Sequence, residues 1–125
     1  MADLTLAQRF GNSVAFNETT KILSINLNDL SSIIVNGEDL GIDVSSMTAA
    51  NQDTYASRVL WSLLLKSQSV QPESNNDETI ALYVQNQGKR TVVRNSVSQF
   101  GFVLAATAYK LDTVGTQLDP DAIGA

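Results

Sequence analysis

The sequence predicts an α+β fold: a mainly antiparallel β-sheet of about five strands with one amphipathic helix against it, an N-terminal arm and a C-terminal tail. Three observations predict it. Period-two alternation recurs at residues 23–27 and 80–108, as in half-buried strands; residues 49–68 carry a helical period instead; and polar clusters with glycine or proline separate these segments. The length of 125 residues and 43% hydrophobic content suit a single domain, with an arm at 1–11, a core at 12–110 and an acidic tail at 111–125. A β-sandwich or barrel with the helix as a plug is the competing architecture.

In the arm, residues 4–10 read either as one helical turn capped by Thr5 and stopped by Gly11, or as an extended segment in which Leu4 and Leu6 alternate with polar or small neighbours. Residues 13–27 read as a hairpin. Val14 and Phe16 share a side, Asn17-Glu18-Thr19-Thr20 is turn-like, and Leu23, Ile25 and Leu27 alternate with Ser24 and Asn26. Ile33-Ile34-Val35 predicts a short strand, followed by a loop carrying Glu38, Asp39 and Asp43 around Asn36-Gly37 and Gly41. The helix over 49–68 has Thr48 or Asn51 as cap and Asp53 in its first turn. Tyr55, Val59, Leu60, Leu63 and Leu64 form its apolar face, with Trp61 and Leu65 on the flank. Pro72 ends it, and residues 69–78 follow as an exposed polar loop. Over 79–110 the pattern is a meander. Ile80, Leu82 and Val84 alternate with their neighbours, Asn86-Gln87-Gly88-Lys89 is the expected reversal, and Thr91-Val92-Val93 returns. Phe100, Phe102, Leu104, Ala106 and Ala108 then share one side of a strand whose other side is not clearly polar, so cover on both faces is expected.

The chain has no histidine and no cysteine. That removes the usual parts of a metal site, a thiol nucleophile and a general base titrating near neutrality. Asp77-Glu78 and Asp119-Pro120-Asp121 offer oxygen ligands without the spacing of a calcium loop. Glu38, Asp39 and Asp43 lie close in sequence, but nothing specifies the apolar pocket that a paired-carboxylate hydrolase needs. A serine nucleophile would have only lysine as its base, and Lys66-Ser67 is better explained by the helix end. The expectation is a protein that is not an enzyme, with no cofactor and no catalytic or metal residues. No disulfide can form. A net charge of −5 with eight basic residues argues against nucleic acid. The first residues lack the basic and apolar stretches of a secretory leader, and no run is long enough to span a membrane.

What remains points to association. Lys89, Arg90 and Arg94 are the one basic concentration. They form either a docking surface, for instance for the Asp112, Asp119 and Asp121 tail of a neighbouring copy, or a charged hairpin tip that keeps sheet edges from pairing wrongly. Trp61, Tyr83 and Tyr109 are amphipathic aromatics of the kind enriched at interfaces, and Leu65 lies beside Trp61 on the helix. These ten residues are the candidate interface. Arm and tail are expected to reach onto other subunits, with docking on the chain's own body as the alternative.

The strings LTLAQRFG, TKILSINLNDL and LDPDAIG look like those of small proteins from cyanobacteria and their tailed phages. The layout resembles virion structural proteins of tailed bacteriophages, namely capsid cement or decoration proteins and tail components. The resemblance implies a non-enzymatic role, many copies, homo-oligomeric contacts or binding to other structural proteins of the same assembly, and a place in the virion. Without it the expected location is cytoplasmic. The alternative function is a soluble adaptor that binds partners through the 69–78 loop and the 86–95 hairpin.

Overall fold

The structure, a computed structural model, describes residues 3–111 and 119–124. It is α+β, with one main helix and antiparallel strands, but the single five-stranded sheet is corrected. Among the described residues six strands form three separate two-stranded hairpins. These are β1 (Ala15–Asn17) with β2 (Ile22–Ser24), β3 (Ile34–Val35) with β4 (Glu38–Asp39), and β5 (Leu82–Arg94) with β6 (Val97–Ala108). The physical reason is local. Polar side chains take the backbone N–H groups that longer ladders would have used. Asn17 accepts from Thr19 and Thr20. Asn26 accepts from Asn28 and opens a 3₁₀ turn at Leu27–Leu30, so the strand expected to run to residue 27 stops at Ser24.

The arm resolves in favour of helix. α1 (Leu6–Phe10) begins at a reciprocal box in which the Thr5 hydroxyl accepts from the Gln8 N–H and the Gln8 side chain accepts from the Thr5 N–H. It ends at Gly11, whose φ of 105° lies in the region that favours glycine. α1 packs on the main helix α2 (Ala56–Val70), and the Arg9 guanidinium donates to the Leu82 carbonyl at 3.0 Å. At the other end Gly124 donates its N–H to the Tyr109 carbonyl at 2.9 Å. Both described ends are therefore hydrogen-bonded to the chain's own body.

The helix expected over 49–68 is shorter at its start. A 3₁₀ turn at Gln52–Tyr55 precedes α2, because Thr48 and Asn51 bond to each other's backbone N–H groups and do not cap a helix. α2 ends at Val70. Gln71 is forced extended (φ −82°, ψ 154°) by the proline that follows. The main core joins Leu30, Ile33, Ile42, Tyr55 and Leu65, with Val35, Val59, Leu63 and Leu104 leaning on it. Leu60, expected on the apolar face, is exposed, and Leu65, expected on the flank, is buried. The face α2 turns inward is thus rotated from the one its period suggested.

The β5–β6 hairpin is the longest element. Its ladder runs from Leu82↔Ala108 to Arg94↔Val97 with one interruption between Asn86 and Lys89. The expected reversal at 86–89 is therefore a β-bulge. Gly88 takes φ 89° and the Asn86 side chain accepts its N–H. The chain turns instead at Asn95-Ser96, both with positive φ (49° and 63°), the geometry of a two-residue type I′ loop.

Candidate interaction surface

The bulge decides what the hairpin presents. Directly opposed residues share a face. Before the bulge Val84 and Asn86 oppose Ala106 and Leu104; after it Lys89, Thr91 and Val93 oppose Phe102, Phe100 and Ser98. The side of β6 bearing Phe100, Phe102, Leu104, Ala106 and Ala108 is thus one continuous face, as the alternation suggested. The cover expected on both faces is absent over its outer half: Phe100 is 65% exposed, Phe102 62% and Val93 69%. Lys89 Nζ stands 5.1 Å from the centroid of the Phe100 ring. The inner half of the same face reaches the core at Leu104.

Where the ribbon leaves the body lies an apolar concavity of about 450 Å³. Val35 and Leu40 line one side, Trp61 and Leu65 another, Phe102 and Leu104 the third, and Glu38 stands on its rim. Trp61 is 36% exposed and comes from the flank of α2 facing β6. A second concavity of about 610 Å³ runs between the loop after α2 and the chain's end, past Asp77, Thr79, Tyr109 and Gly124.

The structure divides the ten candidates. Trp61, at the concavity, and Lys89, over Phe100, fall on one surface. Arg90 and Arg94 lie exposed on the opposite face of the ribbon, beside Gly101 and Val97. Leu65 is a core residue. Tyr83 is one as well, 1% exposed, its hydroxyl donating to the Ser74 carbonyl at 2.9 Å and its ring edge-on to Tyr109 at 6.2 Å. Burial, with the Asp77 charge beside it, pushes the Tyr83 phenol up. Tyr83 therefore ties the 69–78 loop down and is unavailable to a partner. Tyr109 is partly exposed and accepts from Asn75. Asp119 caps a 3₁₀ turn at Pro120–Ala122 by accepting from the N–H of Asp121, and both acids are exposed. Asp112 lies outside the described residues. The aromatic pair Phe100 and Phe102 was missed as surface. Its signal was the long apolar side of residues 100–108, which read equally well as core.

The acidic cluster has structural work. The Asp39 carboxylate accepts from the Ile33 N–H at 3.1 Å and the Gly41 N–H at 3.0 Å, with Ser32 at 3.3 Å. The Gly41 and Ile33 amides hold its pKa below the usual value of 3.8. Asp43 is lowered by Ser45 and Asp77 by Thr79 in the same way. A carboxyl depressed by folding stabilises above its unfolded pKa and loses that contribution as pH falls through its lower folded value. Asp39→Ala is therefore expected to be less stable than wild type at pH 7, with the difference shrinking below pH 3.8. Urea denaturation from neutral pH down to about 2.5 reads this; a difference that stays constant with pH would refute the clamp. Among the described residues no group of three or more acids, histidines or cysteines is placed to hold a metal ion. No helix among them is long and apolar enough to cross a membrane. No family model, no curated protein and no solved structure matches this chain.

Proposed function

We propose that this chain is a non-enzymatic structural subunit that works through contacts between subunits of a larger assembly, specifically a virion component of the capsid-cement, decoration or tail type. One observation carries the assembly reading. The outer half of the β5–β6 ribbon stands beyond the core with Phe100, Phe102 and Val93 facing solvent. Apolar rings arrayed side by side on a projecting two-stranded ribbon mark a surface made for another macromolecule. Among the described residues no further strand pairs with either edge of the ribbon, and an isolated two-stranded hairpin is marginal in water. The virion part rests on the likeness of residues 4–11, 20–30 and 118–124 to phage and cyanobacterial proteins.

Sedimentation of the native source, with the chain detected by mass spectrometry, tests this. The expected result is migration with a particle far heavier than 13.5 kDa. A chain found only as a free 13.5 kDa species would count against it. The adaptor reading draws on Arg90 and Arg94, which share one ribbon face and form no ion pair among the described residues. Charge reversal at both would then abolish partner binding and leave the fold intact.

A further inference from the structure

Building on the assembly reading, we propose that the cover of the Phe100–Phe102 face is a second copy of this chain, each copy laying its ribbon against the other's Trp61 concavity. Three observations select a second copy.

The first is area. The chain exposes 9069 Å², whereas a compact monomer of its mass exposes about 6,500 Å². Counting the ten undescribed residues as fully extended chain takes about 1,400 Å² of that excess and leaves about 1,100 Å² on the described part. The remainder exceeds the roughly 800 Å² per partner that a stable specific interface buries.

The second is charge. The ribbon Leu82–Ala108 carries Lys89, Arg90 and Arg94 and no acid, a formal charge of +3, which leaves −8 on the rest of a chain whose total is −5. Two bodies repel one another, whereas a ribbon and the body of another copy attract. Lys89 beside Phe100 and Glu38 on the rim of the concavity are placed to form that pair across the contact.

The third is continuity. Phe102 belongs both to the exposed ribbon face and to the wall of the concavity, so the projecting rings and the seat for them form one patch. A patch holding both halves of a contact can pair with itself about a two-fold axis, and such a contact closes at two copies. Phe100 of each copy would enter the space bounded by Trp61 and Leu40 of the other.

Trp61 is the sole tryptophan, so its emission reports on the seat. The purified chain should show a mass of two chains by light scattering. On dilution, Trp61 emission should move to longer wavelength over the same concentration range in which the mass falls to one chain. Phe100→Asp alters a side chain outside the monomer core and should raise the dissociation constant at least ~30-fold, the size of an interface hot spot. Lys89→Glu should weaken pairing, and Glu38→Lys added to it should restore pairing, which a mere loss of folding would not allow.

A one-chain mass up to ~100 μM, a concentration that would reveal any contact tighter than that, would overturn the proposal. So would a two-chain mass with unchanged Trp61 emission, or a Phe100→Asp variant that pairs as tightly as wild type. A chain that is single in solution yet migrates with a large particle would remove self-pairing and leave the assembly reading standing. Failure of both measurements would remove both.

Discussion

Gly41→Ala is expected to destabilise the fold by about 3 kcal/mol or more, a large share of the 5–15 kcal/mol that holds a domain together. The cause is backbone apposition and not a left-handed φ. A Cβ on Gly41 would overlap the carbonyl group of Ser31 and come within 2.7 Å of the Ser32 nitrogen. Those are main-chain atoms, so no side chain can swing away. Relief requires the segment at 40–42 to separate from the segment at 30–33. That separation breaks the Leu40 N–H bond to the Ile33 carbonyl, the Ile42 N–H bond to the Leu30 carbonyl and the Asp39 clamp on both segments. Leu30, Ile33 and Ile42 are core residues carried by those strands of chain, so the steric change reaches the core directly. Gly37→Ala is the control. It has a positive φ of 81° but nothing within 4 Å of a Cβ, so only backbone strain of about 1 kcal/mol is expected. Urea midpoints at unchanged slope measure both. A Gly41→Ala protein as stable as Gly37→Ala would show that the two segments are not apposed.

The second large effect is expected at Gln71. Its side-chain amide lies against Val84 as a strand would, donating to the Val84 carbonyl at 2.5 Å and accepting the Val84 N–H at 2.9 Å. Val84 is fully buried, so both backbone groups depend on that amide. Gln71→Ala leaves a donor and an acceptor unsatisfied away from water and should cost about 2–4 kcal/mol. Gln71→Glu sharpens the test. An ionised carboxylate still accepts from the Val84 N–H but sets a negative charge against the carbonyl. Protonation returns a donor. The substituted carboxyl therefore has a raised pKa in the folded state, so its favourable contribution is present at low pH and is lost as pH rises through that value. The stability gap between Gln71→Glu and wild type should narrow between pH 7.5 and about 4.5, close to an unperturbed glutamate. Wild-type acid losses appear on both sides of the comparison and cancel. A gap independent of pH would mean the amide does not bridge Val84.

Local chemistry was readable wherever it is complete within a few residues. Thr5 and Gly11 bracket α1 as a cap and a stop should, and Pro72 sets the end of α2. Readings failed where two local signals competed. Asn86-Gln87-Gly88-Lys89 holds the glycine and drew the expected turn, yet the reversal falls at Asn95-Ser96. A positive-φ glycine serves a bulge as well as a turn, and only the pairing partner tells the two apart. The short strand at Ile34-Val35 is legible from its β-branched residues, but its partner at Glu38-Asp39 reads as loop, because two polar residues have no period to detect. The candidate surface was legible in part. The sequence points to Trp61 and Lys89, but its pattern also implies cover over Phe100 and Phe102, which are exposed, and an interface role for Leu65 and Tyr83, which are buried.

By itself the sequence determined an α+β chain with one main helix, antiparallel strands and a set of capped turns, since caps, turns and hydrophobic periods act over one to four residues. Only the tertiary structure decided which apolar residues are enclosed. An alternating strand has the same pattern whether a helix lies on it or water does. Leu65 and Tyr83 are buried, and Phe100 and Phe102 exposed, because the core ends at Leu104 and the ribbon runs on past it.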